Sequence, residues 1–343
     1  MTTLVSHTLY GLREKVRVAM RLGQYTLTEK IGEGGMGVVY KAQHAMLRRP
    51  TAVKLLPADK AGERDVARFE REVQLTSALT HPNTIQIYDY GRTPEGTFYY
   101  AMEYLDGVTL EALVAEDGPQ PPARVIAVLA QVCGSLAEAH AVGLIHRDVK
   151  PANVLLCERG RQSDVVKVLD FGLVKVVGDE GAAHLSRAGT LAGTPLYMAP
   201  EAITAPDTVD ARADLYAVGA VGYYLLTGQH VFDGATLVEI CARHLNDTPE
   251  PPSKRLGAAV PADLEAVILA CLAKSPGDRP ADAEELARRL VACADAQGWT
   301  EELGHGWWAS RGARVRARGR TRQPASGTIE RLDASGERAA RGA

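Results

Sequence analysis

Cysteine is scarce in this chain and does not cluster. Five are present in 343 residues, Cys133, Cys157, Cys241, Cys271 and Cys293, and no two form a C-x-x-C pair. An odd, dispersed set argues against a disulfide frame or a thiolate zinc site and for reduced, packed thiols. Long apolar runs are also missing: no stretch approaches the ~18 residues read as a bilayer span. The N-terminus lacks the apolar core and small-residue cleavage site of a secretory signal. The expectation is a cytoplasmic protein without membrane contact. Neither sign of charge dominates, since 39 Lys+Arg face 42 Asp+Glu for a net −3. Nucleic acid is therefore not an expected partner of the chain as a whole. No internal repeat is visible.

What is present is ordinary for a globular protein: 46% hydrophobic and 24% charged residues, at a length that suits one large domain or two modest ones. The texture changes along the chain. Residues 1–22 read as an N-terminal extension, either solvated or a short basic amphipathic helix. From 23 to 104, runs rich in Val, Ile, Tyr and Thr predict strands at 25–30, 37–41, 51–55, 85–90 and 97–103. One helix, Arg64 to Leu79, interrupts them. From 107 to 294 the apolar spacing turns helical, clearest at Val125, Leu129, Val132, Leu136 and Ala139. The fold class is α+β, a small antiparallel-sheet lobe (23–104) before a larger helical lobe (107–294). Residues 295–310 carry Trp299, Trp307 and Trp308, which suit a cap on a core better than a docking site. Residues 311–343 hold nine Arg against three acids with few large apolar side chains, and read as a disordered, solvated tail.

The first chemical signal is Ile31-Gly32-Glu33-Gly34-Gly35-Met36-Gly37, followed by Val38-Val39-Tyr40. A G-x-G-x-x-G spacing alone is weak, because dinucleotide-binding turns share it. Those turns run from a strand into a helix, whereas here the glycines lead into a second strand. Strand–turn–strand suits a flap over nucleotide phosphates, with backbone amides free to approach. A glycine-rich hairpin without a ligand is the plain alternative. Next comes Lys54, at the end of the apolar run Thr51-Ala52-Val53. A buried ammonium there needs an anion. Glu72 on the following helix is the candidate and Glu70 the competitor.

The decisive segment is His146-Arg147-Asp148-Val149-Lys150-Pro151-Ala152-Asn153, polar and dense beside the apolar run Val154-Leu155-Leu156. After the strand Val165–Leu169 comes Asp170-Phe171-Gly172. These motifs, with Ala199-Pro200-Glu201, Asp214 and Gly219, and Arg279, resemble the protein kinase family over residues 23–294. Within it the chain looks most like the bacterial Hanks-type serine/threonine kinases.

The resemblance implies roles for the matched residues. The loop Gly32–Gly37 would cover the phosphates of ATP, and Lys54 would hold them while paired with Glu72. Asp148 would accept the substrate hydroxyl's proton. Asn153 and Asp170 would bind Mg2+, with Mn2+ a substitute. Adenine would sit against Val39, Ala52 and Leu155, bonded to the backbone at Glu103 and Leu105 behind Met102. Lys150 and Thr194 point to serine or threonine as the acceptor. Arg147 would grip a phosphate on the activation loop, at Thr190 first and Ser186 second, with Thr194 structural. Glu201 and Arg279 would pair, and Asp214 would cap the catalytic loop. Thr76 stands where an apolar residue is expected to link helix to sheet. Expected partners are proteins bearing Ser/Thr, with a homodimer for trans-autophosphorylation. A pseudokinase scaffold that binds nucleotide without catalysis, and a small-molecule phosphotransferase, remain the rival readings.

Overall fold

The computed structural model describes residues 21–34, 37–56, 63–93, 96–171 and 195–322. Six antiparallel strands build the first lobe: β1 (Arg21–Leu22), β2 (Tyr25–Gly34), β3 (Gly37–His44), β4 (Pro50–Leu56), β5 (Ile87–Arg92) and β6 (Phe98–Glu103), in the order β1-β2-β3-β4-β6-β5. The sheet begins two residues before the expected boundary at 23, because Leu22 pairs with Tyr25. Helix α1 (Glu63–Ser77) crosses between β4 and β5.

The period-two alternation of β6 sorts its side chains between two cores. Phe98 and Tyr100 join Leu56, Val73 and Ile87, with Met102 against them, and so tie α1 to one face. Ala101 joins Tyr25, Ala42 and Val53 on the other. Strand β4 is covered on both faces and is buried almost throughout, which is why it reads as an unbroken apolar run except at Lys54.

The second lobe opens with β7 (Gly107–Thr109), α2 (Leu110–Asp117) and α3 (Pro122–Ala141). A three-stranded sheet β7-β8-β9 follows from β8 (Val154–Arg159) and β9 (Gln162–Val168). The remaining helices of the lobe are α4 (Pro200–Thr204), α5 (Arg212–Thr227), α6 (Leu237–Asn246), α7 (Pro252–Leu256), α8 (Ala262–Cys271) and α9 (Ala283–Val291). Among the described residues α3 alone is long and apolar enough to cross a bilayer, and most of it is packed inside the lobe. Val125, Leu129, Val132 and Leu136 on it, with Leu215, Val218 and Leu225 of α5, belong to one large core. Glycine permits the approach of α8 to α5: a Cβ at Gly219 would lie 2.5 Å from Cys271 Cβ. All five cysteines are free and buried, as packed thiols.

The first part of the Arg-rich segment, 311–322, is helical. Helix α10 (Glu301–Trp307), a π-helical turn (Trp308–Gly312) and α11 (Ala313–Arg322) run on from the lobe. The stripe Gly304, Trp307, Trp308, Gly312 and Val315 is buried while the residues between them face solvent. Composition averaged over 311–343 hid that stripe. Val315, at zero exposure, is the anchor that an averaged charge count does not register.

Candidate active site

The β2–β3 hairpin carries the glycines. Gly34 pairs with Gly37 and Gly32 with Val39, so the loop is strand–turn–strand and not a strand-to-helix dinucleotide turn. Gly37 has φ +148°, and a Cβ there would fall 2.0 Å from the Leu55 carbonyl oxygen; only glycine fits. Ile31, Gly32 and Glu33 lie along β2, with Glu33 paired to Lys30. Gly35 and Met36 lie outside the described residues. Next to the hairpin, Ala52 sits opposite Met102 and Lys54 opposite Tyr100.

Lys54 meets an acid not expected for it. Its Nζ donates to Asp170 Oδ2 at 2.8 Å, with the Lys54 side chain only 6% exposed. The contact seen for Lys54 is thus to Asp170, and the expected pairing with Glu72 is kept as a proposal. Asp170 has φ +56°, a backbone turn just after β9 that brings its carboxylate up to Lys54. Glu72 is buried on α1. Thr76 is buried as well, and its hydroxyl donates to the Glu72 carbonyl at 2.8 Å, so the polar residue one turn on is satisfied within the helix.

The other Asp170 oxygen is also held. Tyr100 Oη donates to Oδ1 at 2.8 Å. Burial pushes the Asp170 carboxyl up, but the charge and hydrogen bond of Lys54, and the bond from Tyr100, outweigh it and leave the pKa below the ordinary value. Burial, then the Asp170 charge, raises the Tyr100 phenol well above its ordinary pKa. Sequence reasoning missed Tyr100. An aromatic in an apolar strand reads as packing, and its partner is 70 residues away.

The segment His146–Asn153 lies between α3 and β8, held by one buried carboxylate. Asp214 Oδ2 accepts the His146 amide at 2.8 Å and Oδ1 the Arg147 amide at 2.8 Å. His140 Nε2 lies 2.8 Å from Oδ2, a third contact the sequence did not suggest. His146, fully buried, reaches the Leu169 carbonyl at 2.8 Å and packs on Phe171 with ring centroids 4.7 Å apart. These contacts bring the Asp148 and Asp170 segments together. On the other side, Asn153 Nδ2 donates to Asp148 Oδ2 at 2.8 Å and to the Asp148 carbonyl at 2.9 Å. Lys150 Nζ lies 2.7 Å from Asp148 Oδ2. Asp148 is thus aimed by an amide and a cation, with Oδ1 outside both contacts.

With Asn153 Nδ2 turned to Asp148, its amide oxygen is the end left for a cation. An amide oxygen and the Asp170 carboxylate are hard donors that fit Mg2+, which takes phosphate and water for its remaining ligands. Among the described residues no cluster of three or more His, Cys, Asp or Glu could hold a metal without such help.

At the strand leading out of the first lobe, Met102 and Leu105 are part-exposed, as are Val39 and Leu155. Glu103 is buried and turned inward. Its carboxylate accepts the Gln86 amide at 3.1 Å, pairs with Lys167 at 2.7 Å and meets Arg159. Its own amide donates to Gln86 O at 2.9 Å. Burial, with Arg159 beside it, lowers the Lys167 pKa to about 8. Farther out, Arg279 clamps Glu201 through two bonds of 2.6 and 2.7 Å. Arg147 is exposed at φ +63°. Ser186, Thr190 and Thr194 lie outside the described residues.

Comparison with known proteins agrees with this geometry. A family model described as the protein kinase domain matches residues 25–291. The chain is 41% identical over 273 residues to the serine/threonine-protein kinase pkn3 of Myxococcus xanthus, covering 78% of this chain and 50% of that one. It is 42% identical over 272 residues to the serine/threonine-protein kinase PknB of Mycobacterium tuberculosis, covering 78% and 42%. The chain thus spans half or less of the length of these curated relatives. The crystal structure of the Mycobacterium tuberculosis PknI kinase domain superposes with a TM-score of 0.62 at 29% identity, covering 79% of this chain and 97% of that one.

Proposed function

The chain belongs to the protein kinase domain family, and from that premise we propose that it is an active serine/threonine protein kinase, moving the γ-phosphate of ATP to protein hydroxyls. The observation that carries this reading is the Asp148 constellation. One carboxylate oxygen is fixed by Asn153 and Lys150, the loop amides are fixed by Asp214, and Asp170 stands on the adjoining segment. A scaffold that only bound nucleotide would have no use for so closely aimed an acid.

In the proposed reaction Asp148 orients the acceptor hydroxyl and takes its proton. Lys150, beside it, offsets charge on the transferring group. Lys54 moves from Asp170 to phosphate oxygens, and the glycine hairpin closes over them with backbone N–H groups. Asn153 and Asp170 would hold Mg2+, which when bound would neutralise charge on the phosphates. Such catalysis is mainly positioning and electrostatic stabilisation, because the transition state spreads charge over the phosphoryl oxygens. Met102, Glu103 and Leu105 line the adenine side with Val39, Ala52 and Leu155.

Arg147 is the receptor for an activation-loop phosphate. Among the described residues its guanidinium meets no acid, so it is available to a group carrying about −2 charge at pH 7. Autophosphorylation at Thr190, in trans within a transient homodimer, would switch the enzyme on in the cytoplasm.

The test is transfer of labelled γ-phosphate from Mg·ATP to the chain itself and to a generic basic protein, beside Asp148→Asn. Transfer by the wild type and none by the variant is expected, with label mapping to Thr190. No transfer by either, with nucleotide binding intact, would overturn the catalytic reading in favour of a scaffold.

A further inference from the structure

Asp170 is gripped at both oxygens, and the two grips differ in kind. Lys54 is a cation at 2.8 Å from Oδ2, and Tyr100 a neutral hydroxyl at 2.8 Å from Oδ1. Resting on the kinase reading above, we propose that Tyr100 is a positioning residue for the metal site, the fixed hold that keeps Asp170 aimed after Lys54 has turned to the phosphates.

Three observations lead there. First, Asp170 sits at φ +56°, a sparsely populated backbone region for a non-glycine residue, so contacts must set the direction of its side chain. Second, Lys54 is a poor permanent hold. Its ammonium is drawn to phosphate, and an ammonium and a divalent cation on one carboxylate repel each other. The Tyr100 hydroxyl carries no charge, occupies one acceptor site of Oδ1, and leaves the rest of the carboxylate to a metal. Third, packing does not call for the hydroxyl. The ring lies among Leu56, Val73, Ile87 and Phe98, where Phe would fill the same space. A hydrogen-bond donor behind a ligating carboxylate is the usual means of fixing its orientation, and its loss weakens metal affinity.

Tyr100→Phe removes one oxygen and keeps the ring. Mn2+ affinity of the full chain, followed by electron paramagnetic resonance with a saturating non-hydrolysable ATP analogue, is expected to fall about 10-fold. The Mg2+ concentration for half-maximal transfer should rise by the same factor. Tyr100→Met, which fills the apolar space without a donor, should show the same loss, while melting curves confirm that both variants are folded. A phenol that served packing alone would leave Mn2+ affinity where it was. Unchanged or tighter Mn2+ binding in Tyr100→Phe, with Asp170→Asn losing the site, overturns the role of Tyr100 and leaves the kinase reading standing. Unchanged binding in Asp170→Asn as well would remove Asp170 from the metal site and the proposal with it.

Discussion

Trp308 donates its indole N–H to Asp164 Oδ1 at 2.8 Å, across 144 residues of sequence. Trp299 donates to Oδ2 at 2.9 Å, and Arg124 clamps both oxygens at 2.7 and 2.9 Å. The Arg124 guanidinium also lies 4.1 Å from the Trp307 ring centroid. One buried carboxylate thus gathers α3, β9 and the segment beyond α9 into a single polar node inside the lobe. Arg311 and Arg318 extend the contact to Asp117 and Glu116 of α2, at 2.6 and 2.8 Å, with the arginine ends exposed to solvent, where screening keeps such pairs of small worth.

The node predicts that the domain does not end where the family match ends, at 291. Trp308→Ala should cost about 3–5 kcal/mol, the range for emptying a large core site. Asp164→Ala should cost a similar ~3–5 kcal/mol, because it leaves the Arg124 charge buried and unpaired. Urea melts of the full chain measure both. A chain cut after Val291 that melted like the full chain would contradict the prediction.

Asp214 predicts a loss of a different kind. It is 1% exposed and accepts the amides of His146 and Arg147. In Asp214→Asn one of the two oxygens becomes an NH2 group facing an N–H donor. An unsatisfied buried donor costs ~1–3 kcal/mol, so the variant should fold with a lowered melting point. The larger effect should fall on kcat, which a small displacement of Asp148 can reduce about 10²-fold. Steady-state kinetics with saturating Mg·ATP would show it, and a kcat equal to wild type would exclude a positioning role.

How much of this was legible beforehand depends on how far apart the cooperating residues stand. His146 through Asn153 are contiguous, so their chemistry is visible in eight letters. The glycine hairpin was separable from a dinucleotide turn by the strand residues Val38 and Val39 that follow it. The Glu201–Arg279 pair and the Asp214 cap came with the family resemblance, not from local pattern. The Lys54–Asp170 contact was not legible, since periodicity cannot choose among Glu70, Glu72 and an acid at 170. Tyr100 looked like any strand aromatic until its hydroxyl was located. The C-terminal helix was misread because net charge dominates composition there. The spacing of Gly304, Trp308, Gly312 and Val315, at intervals of four, four and three, was the signal that could have found it.

The acid sensitivity of the fold follows from His244. It is fully buried, with Tyr216 Oη 2.8 Å from Nδ1 and Phe232 edge-on at 5.0 Å. Burial, then the nearby Lys274 charge, lowers its pKa from 6.5 to about 4. The unfolded chain takes up this proton near pH 6.5 and the folded chain only near pH 4. Between those values the unfolded state binds more protons, so stability falls as pH falls. The contribution of the neutral ring is whole above pH 6.5 and lost by about pH 4, at about 1.4 kcal/mol per pH unit and ~3 kcal/mol in all. His81 and His230, whose pKa values burial also lowers, act in the same direction. In His244→Gln, which keeps polarity but cannot titrate, the slope of unfolding free energy against pH over this window should flatten by up to one proton. Denaturant unfolding at half-unit steps from pH 4 to 7 would measure it, and an unaltered slope would mean that the ring is not held neutral in the folded lobe.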